Sequence, residues 1–233
     1  MDRELEAGGS RATVNLPALR RALLDWAAIS GRSFPWRETD NPFHVLIAEM
    51  MLRRTRAQQV VPIYQKFVAT YPDATALAKA PPEAIVQSLY SLGLAWRVPA
   101  FQAMARALVE NHAGQVPDDC SALKKLPGVG DYVAAAVCCF AFGRAVILSD
   151  TNTVRVVGRV FGFPTHAESR RRKPVRQLME QLLDREHPRE FNLALLDLAA
   201  LICLPVRPRC LKCPIAAFCR SAETFIHDGL AQV

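Results

Sequence analysis

Residues 203–219 read CLPVRPRCLKCPIAAFC and place Cys203, Cys210, Cys213 and Cys219 in the spacing C-x6-C-x2-C-x5-C. Pro205, Pro208 and Pro214 punctuate the stretch, so it can form neither a long helix nor a central strand. Four thiols on so short a loop instead close it around one metal centre. The spacing leaves two readings open: zinc in a four-cysteine site, or a four-iron cluster held by four thiolates. Zinc sites usually come as two C-x2–4-C pairs, and only Cys210 and Cys213 form such a pair here. Either centre is closed by protein ligands, so the metal is expected to be structural or electronic and not a site of hydrolysis.

The remaining cysteines read differently. The chain opens MDRELEAGGSRATVN, charged and then small and polar, with no apolar signal core. No apolar run reaches the ~18–20 residues that span a bilayer. The expected setting is cytosolic, with residues 1–12 frayed. Disulfides are not expected there, and Cys120, Cys138 and Cys139 are read as packing residues on helices.

Hydrophobic residues make up 51% of the 233 residues, enough for a proper interior. Apolar residues recur at helical spacing in LPALRRALLDWAAI, which ends at Gly31, and in HVLIAEMMLRRTRAQQVV, PIYQKFVATYP, ATALAKA, PPEAIVQSLYSLG and VPAFQAMARALVENHAG. Pro62 is expected to break or kink its stretch. CSALKKL, DYVAAAVCCFAFG, PVRQLMEQLLD and FNLALLDLAALIC continue the pattern, and Asp150 stands where the helix TNTVRVVGR should begin. No segment alternates with period two. The fold class is all-α.

The net charge of +7 suggests a polyanionic partner. Its one dense cluster, Arg170–Arg171–Arg172–Lys173, reads as a solvated loop ahead of the PVRQLMEQLLD helix more readily than as a phosphate site. A sharper signal is LPGVGDYVAAAV, where a glycine turn runs straight into a helix. Such a turn either packs tightly or offers its bare N–H groups to an anion.

Three polar residues stand out against their surroundings. Glu49, in LIAEMML, is flanked by apolar residues on every side, which would raise its pKa and keep it protonated as a proton donor. Asp150 suits a helix N-cap, and Asn152 lies two residues on.

Together, LKKLPGVGDYVAAAV, the aspartate at 150 and the closing cysteines resemble the endonuclease III superfamily of helix–hairpin–helix DNA glycosylases, in the family's order from about Trp26 to Cys219. Within it, FPWRETDNPFHVLIAEMMLRRT resembles the branch of adenine glycosylases and thymine/uracil–guanine mismatch glycosylases. The resemblance implies two helical domains flanking a DNA-binding cleft: a six-helix domain with the hairpin over 33–146, and a domain of 13–32 with 147–225 that carries a [4Fe–4S] cluster on the four cysteines. It implies Glu49 and Asp150 as catalytic carboxylates and Asn152 as their orienting neighbour. The hairpin N–H groups of Gly128, Val129, Gly130 and Asp131 would face a DNA phosphate. Arg53, Arg54 and Thr55 would contact DNA, the arginines filling the space of a flipped base or reading the opposite guanine, or else serving as ordinary phosphate contacts. Tyr132 stands where bifunctional members carry a Schiff-base lysine, so base removal without strand cleavage is implied.

The segment Leu52–Arg53–Arg54–Thr55 is closer to the thymine/uracil–guanine enzymes than to the adenine glycosylases, which usually carry L-Q-Q-T there. The sequence also stops soon after Cys219, without the further domain typical of adenine glycosylases. The expected enzyme is a monofunctional glycosylase removing thymine or uracil mispaired with guanine in double-stranded DNA. It is expected to be monomeric, cytoplasmic and nucleoid-associated. Adenine removal opposite 8-oxoguanine or guanine is the alternative, and a non-catalytic helix–hairpin–helix DNA binder a third.

Overall fold

The computed structural model describes residues 14–229; the expected fraying of residues 1–12 lies outside them. Twelve α-helices, joined by turns and short 3₁₀ segments, make up the described chain, and no strand occurs among the described residues. The all-α expectation holds. Among the described residues no helix is long and apolar enough to cross a membrane.

The chain divides into two compact units. One is Ser33–Arg144 and holds seven helices: α2 (Pro42–Leu52), α3 (Ala57–Thr70), α4 (Ala74–Lys79), α5 (Pro82–Leu89), α6 (Val98–His112), α7 (Cys120–Leu123) and α8 (Asp131–Phe140). Its interior is built on Leu46, Ile47, Met51, Phe67, Leu77, Ile85, Met104 and Phe101, all essentially inaccessible to solvent. The other joins α1 (Leu16–Ser30) to the chain from Ala145 onward, with α9 (Thr151–Phe161), α10 (Lys173–Leu182), α11 (Pro188–Leu201) and α12 (Ala222–His227). There Leu19, Leu23, Val154, Val157, Val160, Phe191 and Leu198 form the core.

Local chemistry explains most boundaries. Asn15 accepts the Ala18 N–H and starts α1; Asn41 accepts the N–H groups of Phe43 and His44 and starts α2, with Pro42 at its first position. Asp73 and Asp119 cap α4 and α7 in the same way. The chain does not break at Pro62, as its sequence suggested. It breaks at Arg53–Arg56, and Pro62 lies inside α3. One missing N–H near the start of a helix is offset there by burial of Val60, Tyr64 and Phe67 on the inner face.

A second correction concerns the cysteines. Cys139 is buried as a packing residue, but Cys120 and Cys138 are joined in a disulfide with their Cα atoms 5.9 Å apart. The pairing is a product of the hairpin: α7 turns back onto α8 and brings together thiols 18 residues apart.

Beside α3, Trp36 stacks on Phe34 at 4.9 Å and meets the edge of Tyr64 at 5.4 Å. Tyr64 is only 3% exposed, and burial pushes its phenol up to about 12. In the unfolded chain the phenol titrates near ~10. Below that pH both states hold the proton and the buried phenol's contribution is intact. Above it the unfolded chain loses its proton first, so stability falls as pH rises toward 12. Denaturant midpoints should therefore drop between pH 10 and 12, and Tyr64→Phe should flatten that decline; an unchanged profile would refute the assignment.

Candidate active site

Glu49 sits on α2, a helix whose residues from Phe43 to Met51 are nearly all buried between α3 and α8. Glu49 as a whole is 5% exposed. Such a helix has no solvent face, so Glu49 is held by tertiary packing against the usual preference of a carboxylate for water.

The glycine hairpin is pressed against the same helix. Gly128 adopts φ +78°, and a Cβ there would come 2.9 Å from the Ala100 Cβ and 3.3 Å from the Met50 Cε. Its carbonyl accepts from the Arg53 guanidinium at 3.0 Å, so the residue just past α2 ties the turn in place. Val129 is buried and its N–H bonds the Leu126 carbonyl at 3.1 Å. Gly130 is different: a Cβ there would meet nothing within 4 Å. It is the N-cap of α8 and supplies no side-chain cap, leaving the helix's positive end for an outside acceptor. Asp131 is exposed and paired with Lys124 at 2.6 Å across the turn. Tyr132 follows, partly exposed, at the second position of α8.

Arg53 and Arg54 are exposed. Arg54 holds φ 61°, a left-handed conformation that costs a non-glycine residue about 1–3 kcal/mol. Thr55 closes the bend, its N–H on the Leu52 carbonyl at 3.3 Å and its hydroxyl on the Arg53 carbonyl at 3.4 Å. Arg97, which the sequence did not flag, is only 7% exposed, donates to the Met50 carbonyl at 3.4 Å and leaves its Nε without a partner. Burial lowers its pKa from the ordinary value, and the charges of Arg53 and Arg54 lower it further. Its guanidinium lies 4.7 Å from the ring centroid of Trp96, and that indole is 71% exposed. Nothing in a single sequence distinguishes such an arginine from a solvated one.

In the other unit, Asp150 caps α9 as expected. Its Oδ1 accepts the N–H groups of Asn152 at 2.9 Å and Thr153 at 2.7 Å, and its Oδ2 accepts the Asn152 side-chain amide at 2.9 Å. The Thr153 hydroxyl accepts the Asp150 N–H at 3.0 Å and donates to the Leu148 carbonyl at 2.8 Å. Asn152 is oriented in turn by Arg155, which donates to its Oδ1 at 3.0 Å. Because arginine only donates, the amide nitrogen of Asn152 must face the carboxylate. Arg155 also donates to the carbonyls of Cys203 at 3.0 Å and Ala199 at 2.9 Å. The sequence pointed to Asp150 and Asn152 but not to Arg155.

The cysteine loop wraps the far end of α9. Arg159 donates to the Cys203 Sγ at 3.3 Å and to the carbonyls of Leu204 and Pro205, and its own carbonyl accepts the Cys219 thiol at 3.3 Å. Burial pushes the Cys213 thiol up to about 12 and the Cys219 thiol up to about 11, and raises Cys210 as well. Cys203 acts on all three, and Cys210 also acts on Cys213 and Cys219, so the four thiols share one neighbourhood. Among the described residues no group of three or more His, Cys, Asp or Glu side chains is arranged to hold a metal ion.

Comparison with known proteins places this geometry. The profile of the HhH-GPD superfamily of base excision DNA repair proteins matches residues 47–184. The thymine/uracil-DNA glycosylase of Methanothermobacter thermautotrophicus is 39% identical over 82% of this chain and 87% of its own. The thymine-DNA glycosylase of Aeropyrum pernix is 34% identical over 88% and 94%. The adenine DNA glycosylase of Mycobacterium tuberculosis is 36% identical over 83% of this chain and 64% of its own. Among solved structures, a thermostable thymine-DNA glycosylase superimposes with a TM-score of 0.84 at 36% identity, covering 90% of this chain and 97% of that one.

The two hairpin glycines separate packing from ligand approach. Gly128→Ala should lower the melting temperature, since it combines a left-handed φ with contact at 2.9 Å. Gly130→Ala should lower the melting temperature less than Gly128→Ala, by no more than alanine costs at an N-cap, yet bind duplex DNA less tightly, because its added methyl meets only what comes from outside. Equal DNA affinity for Gly130→Ala and the parent would remove the hairpin as a phosphate contact.

Proposed function

The chain belongs to the HhH-GPD superfamily of base excision DNA repair proteins and is a DNA glycosylase, and from that premise we propose that it removes thymine or uracil mispaired with guanine, leaving an abasic site in the strand. The carrying observation is the Asp150 carboxylate, fixed by the cap of α9 and the Asn152 amide, together with Glu49 sunk in an apolar helix. The arginines at 53 and 54 and the names of the relatives support the choice of base. Adenine removal, supported by the adenine glycosylase relatives, is the second reading.

Breaking an N-glycosidic bond needs charge relief at both ends. The base first leaves the stack at a cost of about a few kcal/mol, smallest for a mispaired base. The C1′–N bond then breaks with its electron pair going to the base, and Glu49 supplies the proton that neutralises it. Asp150 lies against the cation left on the sugar. Water adds to C1′ and gives up a proton to the carboxylate. Tyr132 offers no amine to C1′, so no Schiff base forms and the strand stays intact. The exposed Trp96 face, braced by Arg97, suits stacking with a base beside the lesion. Gly128, Gly130 and Asp131 hold a backbone phosphate, while Val129, expected to join them, is buried with its N–H on the Leu126 carbonyl; the enzyme acts as a monomer on the DNA of the cytoplasmic nucleoid.

The four cysteines fit a [4Fe–4S] cluster by the chemistry of the donor set: four soft sulfur donors on one short loop, their thiols in one neighbourhood. Cys203, Cys210, Cys213 and Cys219 would hold it, and when bound it supplies a rigid brace to the loop that Arg155 and Arg159 grip. Protein purified without loss of metal should be yellow-brown with a broad band near ~400 nm. A colourless protein carrying one zinc and fully active would reverse this part of the reading.

The catalytic reading is tested by single-turnover assays on G·T, G·U, A·G and A·8-oxoguanine duplexes. Thymine and uracil release from the first two is expected; adenine release with none from G·T would favour the second reading. Asp150→Asn keeps Oδ1 as helix cap but turns its amide nitrogen toward that of Asn152, so it should fold and bind while excising orders of magnitude more slowly. Parent-like rates would refute the two-carboxylate mechanism, and borohydride trapping of an enzyme–DNA adduct would refute the role given to Tyr132.

A further inference from the structure

The dense basic run at Arg170–Lys173 is not a loose linker. It lies in a 3₁₀ turn, residues Ala167–Arg171, that leads into α10 and packs against α9 and α10. Ser169, fully buried, pins it: its hydroxyl accepts the His166 N–H at 3.0 Å and its carbonyl accepts the Arg172 N–H at 3.1 Å. The hydroxyl of Ser149, the residue preceding Asp150, donates to the Arg170 carbonyl at 3.4 Å. The turn is thus anchored to the loop that presents the candidate catalytic carboxylate.

Its charges are left over. Arg171 pairs with Glu168 at 2.8 Å, but Arg170, Arg172, Lys173 and Arg176 have no carboxylate partner among the described residues. Arg170, Lys173 and Arg176 are exposed and Arg172 is half-buried. Val175, Met179 and Leu182 bury the opposite side of α10, which fixes Arg176 outward. Holding like charges together on an ordered turn costs repulsion that a flexible linker would relax. No large exposed hydrophobic side chain lies within this segment to anchor a protein partner.

We propose that Arg170, Arg172, Lys173 and Arg176 form a second phosphate-binding surface, additional to the glycine hairpin, which holds the backbone of the strand whose sugar faces Asp150. The placement rests on the reading of Asp150 as the group at the sugar. A carboxylate that must approach deoxyribose meets a polymer with one negative charge per about 1.7 Å of duplex, and cations on the neighbouring turn offset that repulsion. The Ser149 tether supplies that adjacency.

The test is the salt dependence of binding to an undamaged duplex, which does not depend on excision. For Arg170→Gln, Arg172→Gln and Lys173→Gln combined, the slope of log affinity against log salt should become shallower by about two to three, from roughly 0.9 per lost phosphate contact. Affinity near physiological salt should fall about tenfold or more. The charge-preserving combination Arg170→Lys, Arg172→Lys and Lys173→Arg should keep the parent slope. An unchanged slope in the glutamine variant, or an equal loss in the charge-preserving one, would overturn the proposal. Excision by the parent chain with no slope change removes this surface alone. A slope change in a chain that excises no base from any duplex leaves the surface standing and removes the glycosylase reading.

Discussion

The capping of α9 by Asp150 organises the unit around it. One carboxylate oxygen ends two backbone N–H groups and starts the helix at Thr151, and that start sets the register of every later side chain. Three and four residues per turn then carry Val154, Val157 and Val160 into the core, while Arg155 and Arg159, four apart, face the cysteine loop. A helix started one residue earlier or later would point the valines and arginines elsewhere. The same carboxylate's second oxygen meets Asn152, whose orientation Arg155 dictates from the Cys203 carbonyl. The loop that carries the cysteines is therefore three hydrogen bonds from the Asp150 carboxylate, by way of Asn152 and Arg155.

The other unit solves a harder problem, keeping a carboxylate inside an apolar helix. Glu49 cannot be exposed by a small rotation of α2, because every residue from Phe43 to Met51 except His44 is buried. The glycine turn is fitted to this helix by the Arg53 bond to its carbonyl, and a Cβ on Gly128 would press on Met50 of α2 and Ala100 of α6. A shift of α2 would carry the turn with it. The turn and the Glu49 carboxyl are thus set by one packing arrangement, and Gly130, where an added Cβ would meet nothing within 4 Å, leaves its side of the turn open.

What the sequence made legible is what local rules determine. The aspartate at 150 was readable as a cap because capping needs only a few consecutive residues, and most helices were readable from apolar spacing. Glu49 was readable because its neighbours alone define its surroundings. The break at Arg53–Arg56 was not, since the left-handed Arg54 is stabilised by the tie of Arg53 to a turn 75 residues away. The disulfide of Cys120 with Cys138 needed the hairpin to be folded first. Arg97 and Arg155 were invisible for the same reason: whether an arginine is buried, and which carbonyl it reaches, are facts of tertiary contact.

These arginines also explain what the net charge of +7 does in this molecule. Arg97 is buried under the influence of Arg53 and Arg54, and both burial and the like charges oppose its charged form. Arg155 is half-buried; burial lowers its pKa from the ordinary value, and the carbonyls of Cys203 and Ala199 accept its N–H groups. Arg97 is therefore a cation whose charged form is opposed both by burial and by its neighbours. Such an arrangement costs stability in the free protein, because repulsion within it is unrelieved. A polyanion that binds the folded state relieves that repulsion, and its binding free energy adds directly to folding stability. A polyanion bound beside Arg53, Arg54 and Arg97 would on this account tighten the fold of their own unit.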